Sequence, residues 1–143
     1  MSNMLKAERR IRVLIVDDEP SIRKLLARTF IDNGYTVDTY ENPSHCPLFS
    51  IPFCTCSKDE TCVDIIITDQ DMPGVTGLDF IDALMKKNCK CRNIAFMSGC
   101  WNIENRQRAQ DMGFQVFDKP FLADNLLEWA NNASEHGGLE KYT

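Results

Sequence analysis

Hydrophobic runs and polar breaks alternate along the chain in a pattern that predicts strands and helices in turn. Continuous or alternating apolar segments predict five strands, at residues 11–16, 35–40, 63–68, 93–98 and 114–117. A more polar helix is predicted over 102–112. Apolar residues at helical spacing predict three further helices, after the first, third and fifth strands in turn: Ile22, Leu25, Leu26, Phe30; Leu78, Ile81, Leu84, Met85; Leu122, Leu126, Leu127, Ala130. Strands that alternate with helices predict an α/β fold with a parallel sheet covered on both faces.

The interval between the second and third strands breaks this pattern. A helix is expected there, yet residues 42–62 contain three prolines, at positions 43, 47 and 52, and four cysteines. Because proline clashes with the preceding helical turn and lacks a backbone donor, we expect the second helix to be shortened or replaced. The chain shows no internal repeat and no second domain. We therefore expect one domain over 1–143, with a core at about 10–132, an atypical insert at 42–62 and a loose tail at 133–143.

Composition narrows the functional classes. The 143 residues are 43% hydrophobic, so the chain can bury a core without needing disulfides or a structural metal ion. The net charge of −5, from 16 basic and 21 acidic residues, argues against a dedicated nucleic-acid binder. No apolar run approaches the roughly 20 residues of a membrane span. The first residues also lack the apolar segment of a secretory signal, so we expect a cytoplasmic protein.

Polar side chains follow four of the predicted strands at the point where each strand ends. They are Asp17, Asp18, Asp69, Asp71, Ser98 and Lys119. In open α/β sheets ligands bind at the carboxyl ends of strands, so neighbouring strands would bring these groups to one edge. Converging carboxylates repel unless a cation lies among them, and a few oxygen ligands suit Mg²⁺. An aspartate held there has the chemistry to attack phosphorus, while a lysine and a hydroxyl balance the phosphoryl oxygens.

Four motifs in order, LIVDDEP, IIITDQDMPGVTG, MSG and DKPF, give the chain a family resemblance. Over about residues 10–132 it resembles the receiver domain of two-component response regulators. That resemblance implies a flavodoxin-like doubly wound sheet of strand order 2-1-3-4-5. It also implies phosphorylation on Asp69 by a histidine kinase or another phosphotransfer protein, and output through a downstream protein target. Direct contact with nucleic acid or membrane is not expected.

The same resemblance implies roles for the polar residues at the strand ends. Asp18 and Asp69 would bind Mg²⁺ directly, Asp17 largely through water, and Asp71 through its backbone carbonyl. Two further residues complete the implied site. Ser98 would provide the switch hydroxyl, and Lys119 would contact the phosphoryl group. Since no output domain follows the last helix, we expect a stand-alone receiver. Its usual interface is built from the fourth helix, the fifth strand and the fifth helix.

Some positions depart from the usual receiver pattern. The aromatic residue that normally lies three residues before the lysine is Val116 here, and Phe117 lies two before. An aromatic switch therefore depends on whether Phe117 takes that place. Trp101 either contributes to the interface or packs at the edge of the core. We expect Asp71 and Cys100, each two residues after a site residue, to tune the lifetime of the acyl phosphate.

Seven cysteines add a second candidate site. Two C-x-C pairs and the cysteines that bracket the first pair fall near the starts of the third and fourth strands, at the edge opposite the aspartates. Zinc takes four nitrogen or sulfur ligands in a tetrahedron. We predict a structural zinc held by four of six thiols, with His45 a weaker candidate: Cys46, Cys54, Cys56, Cys62, Cys89, Cys91. The alternatives are that most are small buried hydrophobes, or that they form disulfides or sense redox state.

The primary hypothesis is a phospho-accepting signalling module rather than a turnover enzyme. One rival is a phosphohydrolase of the haloacid dehalogenase type, since Asp69-Gln70-Asp71 matches its D-x-D pattern. That family carries the motif at its first strand, whereas here it closes the third. The other rival is a redox or zinc-dependent sensor on a receiver scaffold, in which the cysteines carry the signal.

Overall fold

In the computed structural model, five parallel strands lie side by side in the order β2-β1-β3-β4-β5. The structure describes residues 10–57 and 60–136. The strands are β1 (Arg12–Val16), β2 (Thr36–Tyr40), β3 (Ile65–Asp69), β4 (Ile94–Ser98) and β5 (Gln115–Asp118). The α-helices are α1 (Pro20–Asp32), α2 (Pro47–Ser50), α3 (Gly77–Lys86), α4 (Ile103–Asp111) and α5 (Ala123–His136). The predicted fold class and strand order are confirmed. Among the described helices, none has the length and apolar character needed to cross a membrane.

The sheet is buried on both faces, which explains the uninterrupted apolar runs of its central strands. All five residues of β3 and all five of β4 are buried. Alternate residues point to opposite faces, so Ile65 and Ile67 pack in one cluster with Phe30 of α1 and Leu126 of α5, while Ile66 packs in the other. That second cluster includes residues of α3 and α4. Burying each large apolar side chain contributes about 1.5–3 kcal/mol to folding.

Each predicted strand begins one or two residues before the observed one. The third strand begins at Ile65 because the Asp64 carboxylate accepts a hydrogen bond from the Arg12 backbone N–H at 2.8 Å. The fifth strand is shifted by one residue and ends at Asp118. The prediction that Leu122 faces the core in the last helix is wrong. Its side chain is 69% exposed, and α5 begins one residue later.

The last helix continues into the segment that was predicted to be a loose tail. It runs to His136, and Ser134 is buried, with its hydroxyl 3.5 Å from that of Tyr35. Tyr35 also donates to Asn131 Oδ1 at 2.5 Å. The rest of the predicted tail, 137–143, lies outside the described residues.

The 42–62 insert replaces a full second helix with two short turns, as its prolines predict. A 3₁₀ turn spans Pro43–His45, and α2 has only four residues. Asn42 caps the first turn by accepting a hydrogen bond from the Ser44 N–H at 2.9 Å. Phe49 of α2 packs on Phe80 of α3, with ring centroids 6.1 Å apart. Between α2 and β3 the described residues form neither helix nor strand, so other interactions must hold this segment.

Candidate functional site

The carboxyl ends of the strands bring the predicted polar residues together. Asp17 follows β1, Asp69 and Ser98 end β3 and β4, and Lys119 follows β5. The Lys119 N–H donates to the Ser98 carbonyl at 2.8 Å, which extends the pairing of β4 with β5 beyond the strands. Carboxylate oxygens of Asp17, Asp18 and Asp69 all lie within 4.8 Å of one another. The edge of the sheet therefore presents three carboxylates with an ammonium group among them.

The loop after β3 is shaped by a glycine and by a buried glutamine that sequence reasoning did not single out. A β-carbon on Gly77 would lie 2.4 Å from the Asp69 carbonyl oxygen, so no other residue fits there without movement. The buried Gln70 side chain accepts the Leu78 N–H at 2.8 Å. Thr76 caps α3 by accepting from the Asp79 N–H at 3.1 Å. These bonds fasten the first turn of α3 to the end of β3 and so fix where Asp69 lies.

Burial and charge set the electrostatics of this edge. The Lys119 ammonium lies 3.1 Å from Asp17 Oδ2 and 3.3 Å from Asp69 Oδ1. Asp17 is fully buried and Asp69 is 2% exposed. Burial, together with the negative charge of Asp17, raises the pKa of Asp69 to about 7, and burial also raises the pKa of Asp17. Burial alone would lower the pKa of Lys119, but Asp69 and Asp17 raise it overall, so Lys119 is the internal counterion of the two carboxylates.

The Ser98 hydroxyl is engaged by a partner that the sequence did not reveal. Its Oγ donates to Asp71 Oδ2 at 2.5 Å and accepts from the Cys100 N–H at 3.0 Å. The Asp71 N–H in turn donates to Asp69 Oδ1 at 3.2 Å. From the sequence, Asp71 was expected to bind metal through its backbone carbonyl and to tune the lifetime of the acyl phosphate. The structure adds a hydrogen bond from the Ser98 hydroxyl to the Asp71 side chain.

The donor set fits a hard divalent cation. Two buried carboxylates and one exposed carboxylate face a single ammonium group, which leaves the cluster negative when all three are ionised. Oxygen-only donors of this kind suit Mg²⁺, which keeps several waters and shares its remaining positions with a phosphoryl group. A cavity of about 660 Å³ opens beside the cluster, with room for both. It is lined by polar groups of the site and by an apolar wall: Asp18, Asp69, Lys119, Ile22, Leu25, Phe121.

Comparison with known proteins agrees with this geometry. The model of the response regulator receiver domain matches residues 13–131. The chain belongs to this family. Receiver domains are signalling modules of two-component systems, and in general they use Mg²⁺ at their phosphorylation site.

Individual relatives share the fold at modest identity. The transcriptional regulatory protein TcrA of Mycobacterium tuberculosis is 25% identical over 132 residues, which is 92% of this chain and 49% of TcrA. A putative NtrX-like response regulator of Rickettsia felis is 30% identical over 90% of this chain and 26% of its own length. The structure of the chemotaxis protein CheY4 of Vibrio cholerae superposes with a TM-score of 0.69 and 28% identity, covering 87% of this chain and 98% of CheY4. The chain spans half or less of the length of these two curated relatives.

The packing of Phe117 in this receiver domain answers the question that its sequence position left open. Its ring packs edge-on against Trp129 of α5, with centroids 6.2 Å apart, whereas Val116 packs on the opposite face of the sheet. Phe117 therefore does not take the place of an aromatic residue at position 116. Trp101 packs edge-on against Phe96 at 6.3 Å and donates its Nε1–H to the Phe117 carbonyl at 3.4 Å. Of the two interpretations of Trp101, the structure favours packing at the edge of the core.

Four of the six candidate zinc ligands converge at the opposite edge of the sheet. Sulfur atoms of Cys54, Cys56, Cys62 and Cys89 all lie within 4.8 Å of one another. Three other predicted candidates lie outside this group. Cys46 and Cys91 are buried in the hydrophobic cluster under α3. The His45 Nδ1 atom lies 3.1 Å from Glu41 Oε1 instead. None of the seven cysteines forms a disulfide in the described chain, and Cys100 lies exposed beside the aspartate edge, as predicted.

Proposed function

We propose that this receiver domain accepts a phosphoryl group on Asp69 from the phosphohistidine of a histidine kinase or a phosphotransfer protein. The observation that carries the proposal is the buried Asp69 carboxylate at the end of β3, held 3.3 Å from the Lys119 ammonium and beside Asp17 and Asp18. The cytoplasm is the compartment that fits such partners. The family match over residues 13–131 favours this function over a sensor in which the cysteines carry the signal.

The transfer follows from the positions of Asp69 and Lys119. An Asp69 carboxylate oxygen attacks phosphorus in line with the bond to the histidine nitrogen. The new phosphorus–oxygen bond forms as the phosphorus–nitrogen bond breaks, and the imidazole keeps the electron pair and takes up a proton from water. Because Lys119 already lies against Asp69, its ammonium group is placed to contact an oxygen of the transferred phosphoryl group. Its charge then offsets the negative charge that reaches Asp69.

Asp17, Asp18 and Asp69 would hold Mg²⁺, together with the backbone carbonyl of Asp71. When bound, the ion supplies positive charge that stabilises the phosphoryl oxygens during transfer. Asp17 also positions Lys119, since its Oδ2 accepts from the ammonium at 3.1 Å. The Glu19 N–H donates to Asp17 Oδ1 at 2.8 Å and fixes the orientation of that carboxylate.

The Ser98 hydroxyl provides the switch in this proposal. In the structure it donates to Asp71; after transfer it would donate to a phosphoryl oxygen on Asp69 instead. That exchange moves the loop after β4, which reaches β5 through the bond from Trp101 to the Phe117 carbonyl. The surface of α4, β5 and α5 would report the change to a downstream protein. Ile103, at the start of α4, is 89% exposed and offers an apolar contact on that surface.

The test is phosphoryl uptake from acetyl phosphate in the presence of Mg²⁺, measured by mass spectrometry of the intact protein. We expect the unaltered protein to gain one phosphoryl group and Asp69→Asn to gain none, because the amide lacks a nucleophilic oxygen. Asp111→Asn is the matched control, since it removes an exposed carboxylate at the end of α4, outside the site. We also expect no turnover of phosphate esters. Uptake by Asp69→Asn equal to that of the unaltered protein would overturn the proposal.

A further inference from the structure

We propose that Cys54, Cys56, Cys62 and Cys89 bind one structural Zn²⁺ that joins the 42–62 insert to the loop between α3 and β4. Three of the ligands come from the insert and the fourth from the loop. The inference goes beyond phosphoryl transfer. It concerns the interactions that keep the 42–62 insert in place, where a regular second helix is absent.

The spacing of the four sulfur atoms matches a tetrahedral zinc site. Zinc–sulfur bonds of about 2.3 Å in a regular tetrahedron place sulfurs roughly 3.8 Å apart. The sulfur of Cys54 lies 3.3 Å from that of Cys56, while Cys89 lies 3.7 Å from Cys62 and 4.0 Å from Cys56. With all separations below 4.8 Å, the side chains need only small adjustments to reach one ion. A disulfide model would need sulfurs in separate pairs about 2.04 Å apart, and the four-way cluster does not have that form.

Backbone N–H groups point at the sulfurs, which favours the thiolates that zinc requires. Cys56 Sγ accepts from the Cys62 N–H at 3.1 Å and from the Lys90 N–H at 3.3 Å. Cys54 Sγ accepts from the Cys56 N–H at 3.5 Å. Hydrogen bonds to metal-binding atoms orient them and stabilise their charge.

The surrounding charge is complementary to a negative metal centre. Zinc with four thiolates carries a net charge of −2, and the segment that provides Cys89 is basic. Lys87, Lys90 and Arg92 all lie within three residues of this cysteine. The Arg92 guanidinium donates to the Cys89 carbonyl at 2.8 Å, which keeps one positive charge beside the ligand.

Contacts that do not involve the sulfurs already hold the two loops together. The Cys54 N–H donates to the Lys87 carbonyl at 2.9 Å, and the Lys87 ammonium donates to the Phe49 carbonyl. Asn88 has φ of 67°, and this left-handed turn directs the chain back so that the Cys89 N–H bonds to the Leu84 carbonyl. The backbone therefore presents Cys89 to the insert whether or not a metal is present.

Burial distinguishes three of these four cysteines from those that fill the core. Cys46 and Cys91 are each 1% exposed and pack in the hydrophobic cluster, as small buried hydrophobes do. Of the four proposed ligands, three are only partly buried: Cys54, Cys56 and Cys62. The fourth, Cys89, is 2% exposed and packs in the same cluster as the core-filling thiols, so it is the position of its sulfur that groups it with the others. Partial exposure leaves a path by which an ion can enter, which a core-filling thiol does not need.

The first test is a native mass spectrum of protein purified without added metal or chelator, followed by alkylation with iodoacetamide. We expect the mass of one zinc ion, with Cys100 alkylated and the four ligands protected until zinc is removed. A metal-free mass with those thiols reactive would overturn the proposal. A mass lower by two hydrogen atoms for each disulfide, or the mass of an iron–sulfur cluster, would overturn it as well.

Variants in the second C-x-C pair separate ligand binding from packing. We expect Cys89→Ala to weaken zinc binding at least about 100-fold, whereas Cys91→Ala keeps one zinc because its sulfur is outside the group. Should Cys89→Ala fail to fold, Co²⁺ binding to the unaltered protein gives the answer instead. The strong visible absorption of a tetrahedral cobalt–thiolate centre supports the proposal, and the weak spectrum of an octahedral oxygen site overturns it. Phosphoryl uptake on Asp69 is measured separately, so neither result depends on the other.

Discussion

The Ser98 hydroxyl is held by a hydrogen bond to Asp71, which would have to break before the hydroxyl could reach a phosphoryl group. We expect Asp71→Ala to raise the phosphorylated fraction about threefold or more under fixed acetyl phosphate and Mg²⁺. The substitution releases the hydroxyl and removes a negative charge near the phosphoryl group. Asp71→Asn removes the charge but keeps an oxygen that accepts from Ser98. Its phosphorylated fraction should therefore fall between that of the unaltered protein and that of Asp71→Ala. The measurement is the yield and decay of the acyl phosphate in intact-mass spectra. Yields and decay rates of both variants equal to those of the unaltered protein would remove Asp71 from this role.

Asp69 makes the stability of the magnesium-free protein depend on pH. Its pKa of about 7 in the fold lies above the ordinary value of 3.8, so protonation of Asp69 stabilises the folded state. That contribution is complete below pH 3.8 and is lost as the pH rises through about 7. We therefore expect Asp69→Asn to be more stable than the unaltered protein at about pH 8, by roughly 1–3 kcal/mol.

The measurement is urea unfolding of both proteins in magnesium-free buffer across this pH range. The difference in unfolding free energy should shrink as the pH falls below about 7 and reverse when Mg²⁺ is added. A difference that is constant with pH would contradict the raised pKa. Part of the gain at high pH is offset because the Lys119 ammonium loses a charged partner.

The residues at the strand ends were predictable because each lies one or two residues after an apolar run. Asp17, Asp69, Ser98 and Lys119 could therefore be placed at one edge from the periodicity of the sequence and the rules of parallel sheets. The bond between Ser98 and Asp71 could not be predicted, since it depends on how the loop after β3 folds back. No pattern in the sequence records the direction of a loop side chain.

Gly77 joins two elements, since it begins α3 in contact with the end of β3. We expect Gly77→Ala to destabilise the protein by about 1–3 kcal/mol, because the added β-carbon would lie 2.4 Å from the Asp69 carbonyl. Phosphoryl uptake should also fall, since Asp69 must move. Gly99→Ala is the matched control: its β-carbon would meet Lys119 Cβ at 3.7 Å, an ordinary contact. Thermal unfolding of both variants provides the comparison for stability, and equal losses of stability would contradict this account.

Helix limits were less predictable than strands for a reason visible in α5. Leu122 and Leu126 have helical spacing, but Leu122 precedes the helix and its carbonyl accepts the Asn125 N–H in the first turn. A residue at that position keeps the spacing while its side chain points to solvent. For the cysteines, the sequence indicated the correct edge of the sheet. It could not separate the four that converge from Cys46 and Cys91, since both kinds lie in the same short segments.

At the scale of the whole molecule, the two candidate sites lie at opposite edges of the sheet. Asp69 ends β3 and Cys62 precedes the strand, so at least the roughly 13 Å length of the five-residue strand lies between them. This separation predicts that loss of zinc affects stability far more than phosphoryl transfer.

Treatment with a strong zinc chelator should therefore lower the midpoint of thermal unfolding by about 5 °C or more. Cys89→Ala should show a low midpoint that the chelator does not change, and Cys91→Ala should respond as the unaltered protein does. Phosphoryl uptake on Asp69, measured at moderate temperature with excess Mg²⁺, should change little. An unchanged midpoint for the unaltered protein would show that no bound metal supports the insert.

The contact between Cys56 and Cys89 has a topological consequence. The two residues are 33 positions apart in the chain, and everything between them, including β3 and α3, would be closed into a ring by a shared ion. Closing a ring of this size removes conformational freedom from the unfolded chain worth about 3–4 kcal/mol. Strand β3 would then be tethered at its amino end even when the rest of the domain opens. Hydrogen exchange of the β3 amides would then require a zinc–sulfur bond to dissociate, and the exchange rate would be limited by the rate of that dissociation.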